Sequence, residues 1–115
     1  MVLTFIDKYR NLIDDISNYE KENSRKIKLV VVTKTQDYKK IIALEKEGQR
    51  DFGENYLDEA EKKITKIKNI DLVWHFIGKL QSNKIRKICR YFDWIHTISS
   101  KKHAEKINLV CKELN

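Results

Sequence analysis

KLVVVTKTQD, residues 28–37, sets an apolar run of strand type, Leu29 to Val32, directly before Thr33 and Lys34. Its β-branched valines suit a pleated strand better than a helix. The helix that follows has solvent-facing positions enough for its lysines, so the ammonium at Lys34 needs its own reason. It is either a strand-end charge leaning into water or a nucleophile held at the rim of a core.

Further strand-like runs occur at 50–53, 71–77 and 93–98, so with the first run at 28–33 the starts are 22, 21 and 22 residues apart. A nearly constant period of this kind marks an internal repeat. Between the runs the apolar residues recur with helical spacing: Tyr38, Ile41 and Ile42; Leu57, Ala60, Ile64 and Ile67; Ile85, Ile88, Cys89 and Phe92; Ala104, Ile107 and Cys111. Each unit is therefore a strand followed by a helix. Asp37, Asn55, Ser82 and Ser100 stand where N-caps belong, and Gly48 stands where a helix terminates. Ahead of the first strand, Phe5, Ile6, Tyr9, Leu12, Ile13, Ile16 and Tyr19 form one stripe of an additional helix expected to cover something apolar.

Four strands alternating with helices predict an α/β fold with a parallel sheet, because right-handed crossovers return the chain in the same direction. A doubly wound sheet and part of a βα barrel both fit. The constant period, the short strands and the lack of a Gly-x-Gly-x-x-Gly turn after the first strand favour the barrel.

The 115 residues support one core, so residues 1–115 are expected to form a single domain. Acidic and basic residues interrupt the first ten positions, and no apolar run approaches ~20 residues, which predicts a soluble cytoplasmic protein with no membrane partner. Cys89 and Cys111 lack the spacing of a zinc site or a disulfide framework and read as small core residues. The net charge of +7 raises the question of an anionic partner. Lysines alternate with glutamates on most helix faces, however, and only KLQSNKIRKICR, residues 79–90, is basic without an acid. Solvated helices explain this better than a nucleic-acid-binding module, which stays a remote alternative.

In parallel βα architectures ligands bind at the carboxyl ends of the strands. Those ends carry Lys34 and Thr35, then GENY (53–56), GKLQSN (78–83) and HTISS (96–100). Each has a plain structural reading, since Asn55, Ser82 and Ser100 can cap helices and Gly53 and Gly78 can permit tight turns. His75 and His96 sit inside apolar strands, and two histidines without a third donor make a poor metal site. Trp74, Phe76 and Trp94 read as core aromatics. No Ser-His-Asp order and no carboxylate pair stands at the strand ends. Lys34 is the one unusual nucleophile: partial desolvation beside an apolar interior would lower its pKa and free the amine to form a Schiff base with a carbonyl.

LVVVTKTQD, GQRDFGENYLDEA, WHFIGKLQSNK and FDWIHTI together resemble the successive signatures of the pyridoxal 5'-phosphate (PLP) homeostasis protein family, also called YggS-like or proline synthetase co-transcribed proteins. The resemblance runs in order from about Ile27 to about Asn108. It implies a (β/α)8 TIM barrel of the alanine-racemase N-terminal-domain type, of which this chain carries the N-terminal half and the extra N-terminal helix. It further implies PLP held as an aldimine on Lys34, with Asn55 and His75 lining the cofactor ring and Gly53, Glu54, Gly78 and Ser82 in the surrounding loops. The implied role is PLP homeostasis without enzymatic turnover. An amino-acid racemase-like enzyme using the same aldimine, and a truncated or degenerate member with weak or no PLP binding, are the alternatives.

Two departures from the family pattern bear on the site. Lys-Thr-Gln-Asp (Lys34 to Asp37) replaces the usual Lys-Thr-Lys-Pro, which removes a second lysine and a proline. The family is about twice as long, so the loops expected to hold the cofactor phosphate lie beyond the four βα units found here. A four-stranded open sheet leaves two edges and an uncovered face, both of which favour association: either a second copy or another chain completes it, or the chain is a poorly stable relic.

Overall fold

The computed structural model describes residues 4–67 and 70–114. Helix α1 (Phe5–Asn23) precedes four βα units: β1 (Val31–Val32) and α2 (Tyr38–Lys46), β2 (Asp51–Glu54) and α3 (Leu57–Lys66), β3 (Val73–Phe76) and α4 (Ile85–Tyr91), β4 (Trp94–Ile95) and α5 (Lys101–Leu114). A 3-10 turn, Ser82–Lys84, leads into α4. All neighbouring strands are parallel, in the order β1-β2-β3-β4. Sequential order decides between the two expected architectures. A doubly wound sheet reverses direction at a switch point, whereas successive right-handed crossovers that always advance the same way set every helix on one face, as in a barrel.

The regular strands are shorter than the apolar runs, and side chains are the reason. The Gln49 amide reaches the Leu29 and Asp51 carbonyls, both at 2.8 Å, and so takes the place of main-chain pairing ahead of β1. At the start of β4 the Asp93 carboxylate accepts from the Trp74 amide at 2.8 Å. Single ladder bonds extend the pairing beyond the regular strands, with Thr33 N–H donating to Gly53 and His96 N–H to Phe76.

Helix ends agree with the sequence in part. The Asp37 carboxylate accepts from Lys39 N–H and caps α2. Gly48, at φ +103°, closes a Schellman turn in which Gly48 N–H reaches Glu45 and Gln49 N–H reaches Leu44. Ser100 Oγ accepts from His103 N–H at the start of α5. Asn55 and Ser82 do not cap: the residue before α3 is Tyr56, the one before the 3-10 turn is Gln81, and neither makes a side-chain cap.

Alternation along the strands sorts the residues into two faces. Phe52, Trp74 and Phe76 point to the helices and meet Ile41, Leu44, Leu57, Ala60, Ile88 and Phe92 in the core. Phe76 packs edge-on to Phe92 at 5.2 Å. Among the described residues no helix covers the opposite face, and Trp94, expected in the core, lies on it 56 % exposed with Val32 and Ile98 also exposed. Helix α1 covers less than its stripe suggests: Ile6 and Tyr9 pack on the core, while Phe5, Leu12, Ile13 and Tyr19 stay exposed. It is held chiefly by polar bonds, Tyr9 Oη to Gln49 at 2.8 Å and Arg10 to Glu47. Cys89 on α4 and Cys111 on α5 are half-buried free thiols. Burial, reinforced by a hydrogen bond with Cys111, pushes the Cys89 thiol up to about 11 and keeps it protonated at neutral pH.

Two constraints position the strand ends. Glu54 is fully buried and pairs with Lys63 of α3, whose ammonium also donates to the Thr33 carbonyl at 2.6 Å. A Cβ on Gly78 would fall 1.9 Å from the Asn55 carbonyl oxygen, so only glycine lets the loops after β2 and β3 meet. Lys63→Met should lower unfolding free energy in urea melts by about 3–5 kcal/mol, since it strands a buried carboxylate, and adding Glu54→Gln should restore much of the loss. A cost under about 1 kcal/mol, the scale of an exposed pair, would show that the pair does not hold the strand ends. Gly78→Ala should cost at least the ~1–3 kcal/mol typical of overpacking in the same assay, because backbone stands in the way.

Candidate functional site

The uncovered face is layered by register. Val32 pairs with Gly53, Gly53 with His75, and His75 with Trp94, so these four form one layer across the sheet. Ile77 and His96 stand two residues further along, just past β3 and β4, and Lys34 follows β1 in the turn at the same, carboxyl end of the sheet. This brings the sequence-derived Gly53 and His75 to one face, with His96 beside them and Lys34 in the turn at its rim.

Lys34 is exposed, and among the described residues no hydrogen bond or ion pair engages its ammonium. The turn that carries it is nonetheless fixed. Thr33 is buried and its hydroxyl donates to Glu54, while its carbonyl takes the Lys63 ammonium. On the other side of Lys34, Thr35 sits at φ 62° with its N–H donating to Glu59. Lys63 lies 2.8 Å from the same Glu59 carboxylate. Burial opposes the charge on Glu59, but the Lys63 ammonium and the Thr35 amide outweigh it and hold the carboxyl below the usual glutamate range. An exposed, unengaged side chain thus rises from an anchored backbone.

The other sequence-derived residues divide. At Gly53 the side chains of Val30 and Ile77 come within 3.2 Å of where a Cβ would stand, so the glycine lets them pack over it. Asn55 follows β2, and its Oδ1 is buried with no donor among the described residues, an acceptor left for a ligand or water. His75 is 2 % exposed and stacks against Trp94 at 5.9 Å, 7° from parallel. Glu54 turns to the helix side, where Lys63 and Thr33 occupy it. Gly78 serves the loop contact already described. Ser82 Oγ bonds to His103 Nε2 at 3.0 Å and its carbonyl to Lys106, which ties the 3-10 turn to α5. Between α3 and α4 a recess of about 320 Å3 is lined by Asn55, Lys79, Gln81 and Lys84 among others. Sequence reasoning missed Lys63 and Asp51. Lys63 reads as one more solvated helix lysine, and nothing local marks it as buried. Asp51 would have been visible only once the register placed it beside His75.

No family model matches the chain. Among curated proteins, the pyridoxal phosphate homeostasis protein of Buchnera aphidicola subsp. Baizongia pistaciae is 44 % identical over 106 residues, which are 90 % of this chain and 45 % of that protein. The protein of the same name from Haemophilus influenzae is 40 % identical over 98 residues, 84 % of this chain and 41 % of its own. Among solved structures, PipY of Synechococcus elongatus, determined with PLP bound, superposes with a TM-score of 0.75 at 37 % identity, covering 86 % of this chain and 49 % of PipY. A protein of unknown function from Bifidobacterium adolescentis gives 0.69 at 31 % identity, over 87 % of this chain and 46 % of the other. The chain spans about half the length of the relatives it matches. By sequence and by fold it is a relative of the pyridoxal phosphate homeostasis proteins, corresponding to roughly half of their barrel.

Proposed function

We propose that this chain binds PLP through Lys34 and serves to hold the cofactor rather than to turn over a substrate. The observation that carries the reading is the unengaged Lys34 ammonium on an anchored turn at the carboxyl end of β1, in a chain 44 % identical to a pyridoxal phosphate homeostasis protein. The residues fit the group. An amine at Lys34 would meet the cofactor aldehyde, His75 presents an imidazole on the open face, Gly53 lets Val30 and Ile77 pack closely beneath the site, and the buried Asn55 Oδ1 has no donor among the described residues. Bound PLP supplies an electrophilic carbonyl and an electron-accepting ring.

Residues 1–115 act in this reading as one partial βα-barrel domain whose open edges, β1 and β4, are partnered in the working protein. Further units of a longer polypeptide, a second copy or another chain would each cover the exposed Val32, Trp94 and Ile98. No helix among the described residues is long and apolar enough to cross a membrane. The proposed setting is the cytoplasm, where free thiols such as Cys89 and Cys111 stay reduced. The basic segment at residues 79–90 is partly neutralised, with Arg86 paired to Glu113 and Lys87 to Glu61, which leaves the nucleic-acid alternative without a clear face.

Borohydride treatment of the protein mixed with PLP should leave a pyridoxyl group on the peptide containing Lys34, and Lys34→Ala should remove it. Labelling spread over many lysines and unchanged by Lys34→Ala would refute a dedicated site. Incubation with PLP and L-alanine in deuterated water tests the role. Racemisation needs a second acid or base opposite the lysine, so deuterium should enter Cα no faster than with free PLP. Faster entry that depends on Lys34 would make the chain an enzyme.

A further inference from the structure

Three strands place Asp51, His75 and His96 in a hydrogen-bonded chain along the open face. His75 Nε2 lies 2.8 Å from Asp51 Oδ1, and His75 Nδ1 lies 2.8 Å from His96 Nε2. The middle ring is buried, whereas His96 is exposed. Trp94 stacks on both imidazoles, at 5.9 Å and 6.3 Å, and shields the link between them.

The hydrogen count along this chain is fixed by valence. An ionised carboxylate only accepts, so His75 Nε2 carries a hydrogen toward Asp51. With both rings neutral, His75 Nδ1 must then be bare and accept from His96 Nε2–H. That leaves His96 Nδ1 as a free base on an exposed ring. A proton arriving there breaks none of the bonds in the chain.

We propose that His96 is the proton-exchanging side chain of the Lys34 site, with Asp51 and His75 as positioning residues that set its tautomer. The proposal rests on the Lys34 reading. Lys34 follows the first strand and His96 the fourth, both at the carboxyl end of the sheet, and the curl of a βα barrel turns those ends toward each other across its mouth. A ligand aldehyde held at Lys34 would lie between them. His96 Nδ1 takes one proton from the Lys34 ammonium, directly or through water, and the freed amine adds to the carbonyl carbon. The proton returns to the resulting hydroxyl, which leaves as water when the carbon–nitrogen double bond forms. No proton is gained or lost by His96 over the cycle, so it speeds loading and release alike.

The experiment combines stopped-flow absorbance of PLP loading and release with 15N spectra of the histidine rings in the cofactor-free protein. His96→Gln should slow both rates by about 100-fold, the lower end of general acid–base catalysis, and leave their ratio within about twofold of wild type. Asp51→Asn, which keeps His96, should slow both rates less and alter the His96 tautomer signal. A changed ratio at unchanged loading rate would make His96 a structural contact and overturn the proposal. An Nδ1–H tautomer at His96 in the free protein would also overturn it, even where Lys34→Ala abolishes loading and the Lys34 reading stands. Loading that survives Lys34→Ala would defeat the Lys34 reading itself, and the proposal with it.

Discussion

The buried pair of Glu54 and Lys63 is the interaction on which the candidate site depends. Glu54 ends β2, Lys63 belongs to α3, and the Lys63 ammonium reaches across to the Thr33 carbonyl at the end of β1. Two strands and a helix are therefore pinned at one point, one residue before Lys34. A buried pair earns its place only when its remaining hydrogen-bonding capacity is used, and here Thr33 and Glu59 use it. The consequence is a division of labour. The charge that holds the backbone faces the helices, and the charge available for chemistry faces the open side.

The open side is where the physics of this chain is unusual. A parallel sheet is ordinarily covered on both faces, and here one face presents Val32, Trp94 and Ile98 to solvent beside a polar row of Lys34, Asp51, His75 and His96. In a closed barrel that face becomes the interior and its mouth. Mixing apolar and ionisable groups there suits a site that receives a flat, charged, carbonyl-bearing ligand, since the aromatic and aliphatic surface accommodates the ring while the polar row meets its substituents.

Much of the fold was legible in the sequence because it repeats. The spacing of about 22 residues fixed four strands and four helices, and Asp37 and Gly48 marked helix ends through local chemistry that tertiary structure left intact. Trp94 was misread because an aromatic in a short apolar run looks the same on either face; only the register with His75 shows which way it points. Asn55 and Ser82 resemble caps, yet Asn55 lies one residue too early and Ser82 begins a 3-10 turn whose hydroxyl is taken by His103. In the site, Lys34 stood out because an ammonium that ends a buried-type strand violates the pattern around it. Lys63 obeyed the pattern of a solvated helix and so concealed its role, and the link from Asp51 to His96 spans three strands that no local signal joins.

A crystal structure of the chain grown with PLP tests the central claim most directly. The account predicts continuous electron density from Lys34 Nζ to the cofactor's aldehyde carbon, with the ring on the open face and within reach of Asn55 and His75. Cofactor density joined instead to Lys79 or Lys84 in the recess between α3 and α4, with Lys34 free, would contradict it.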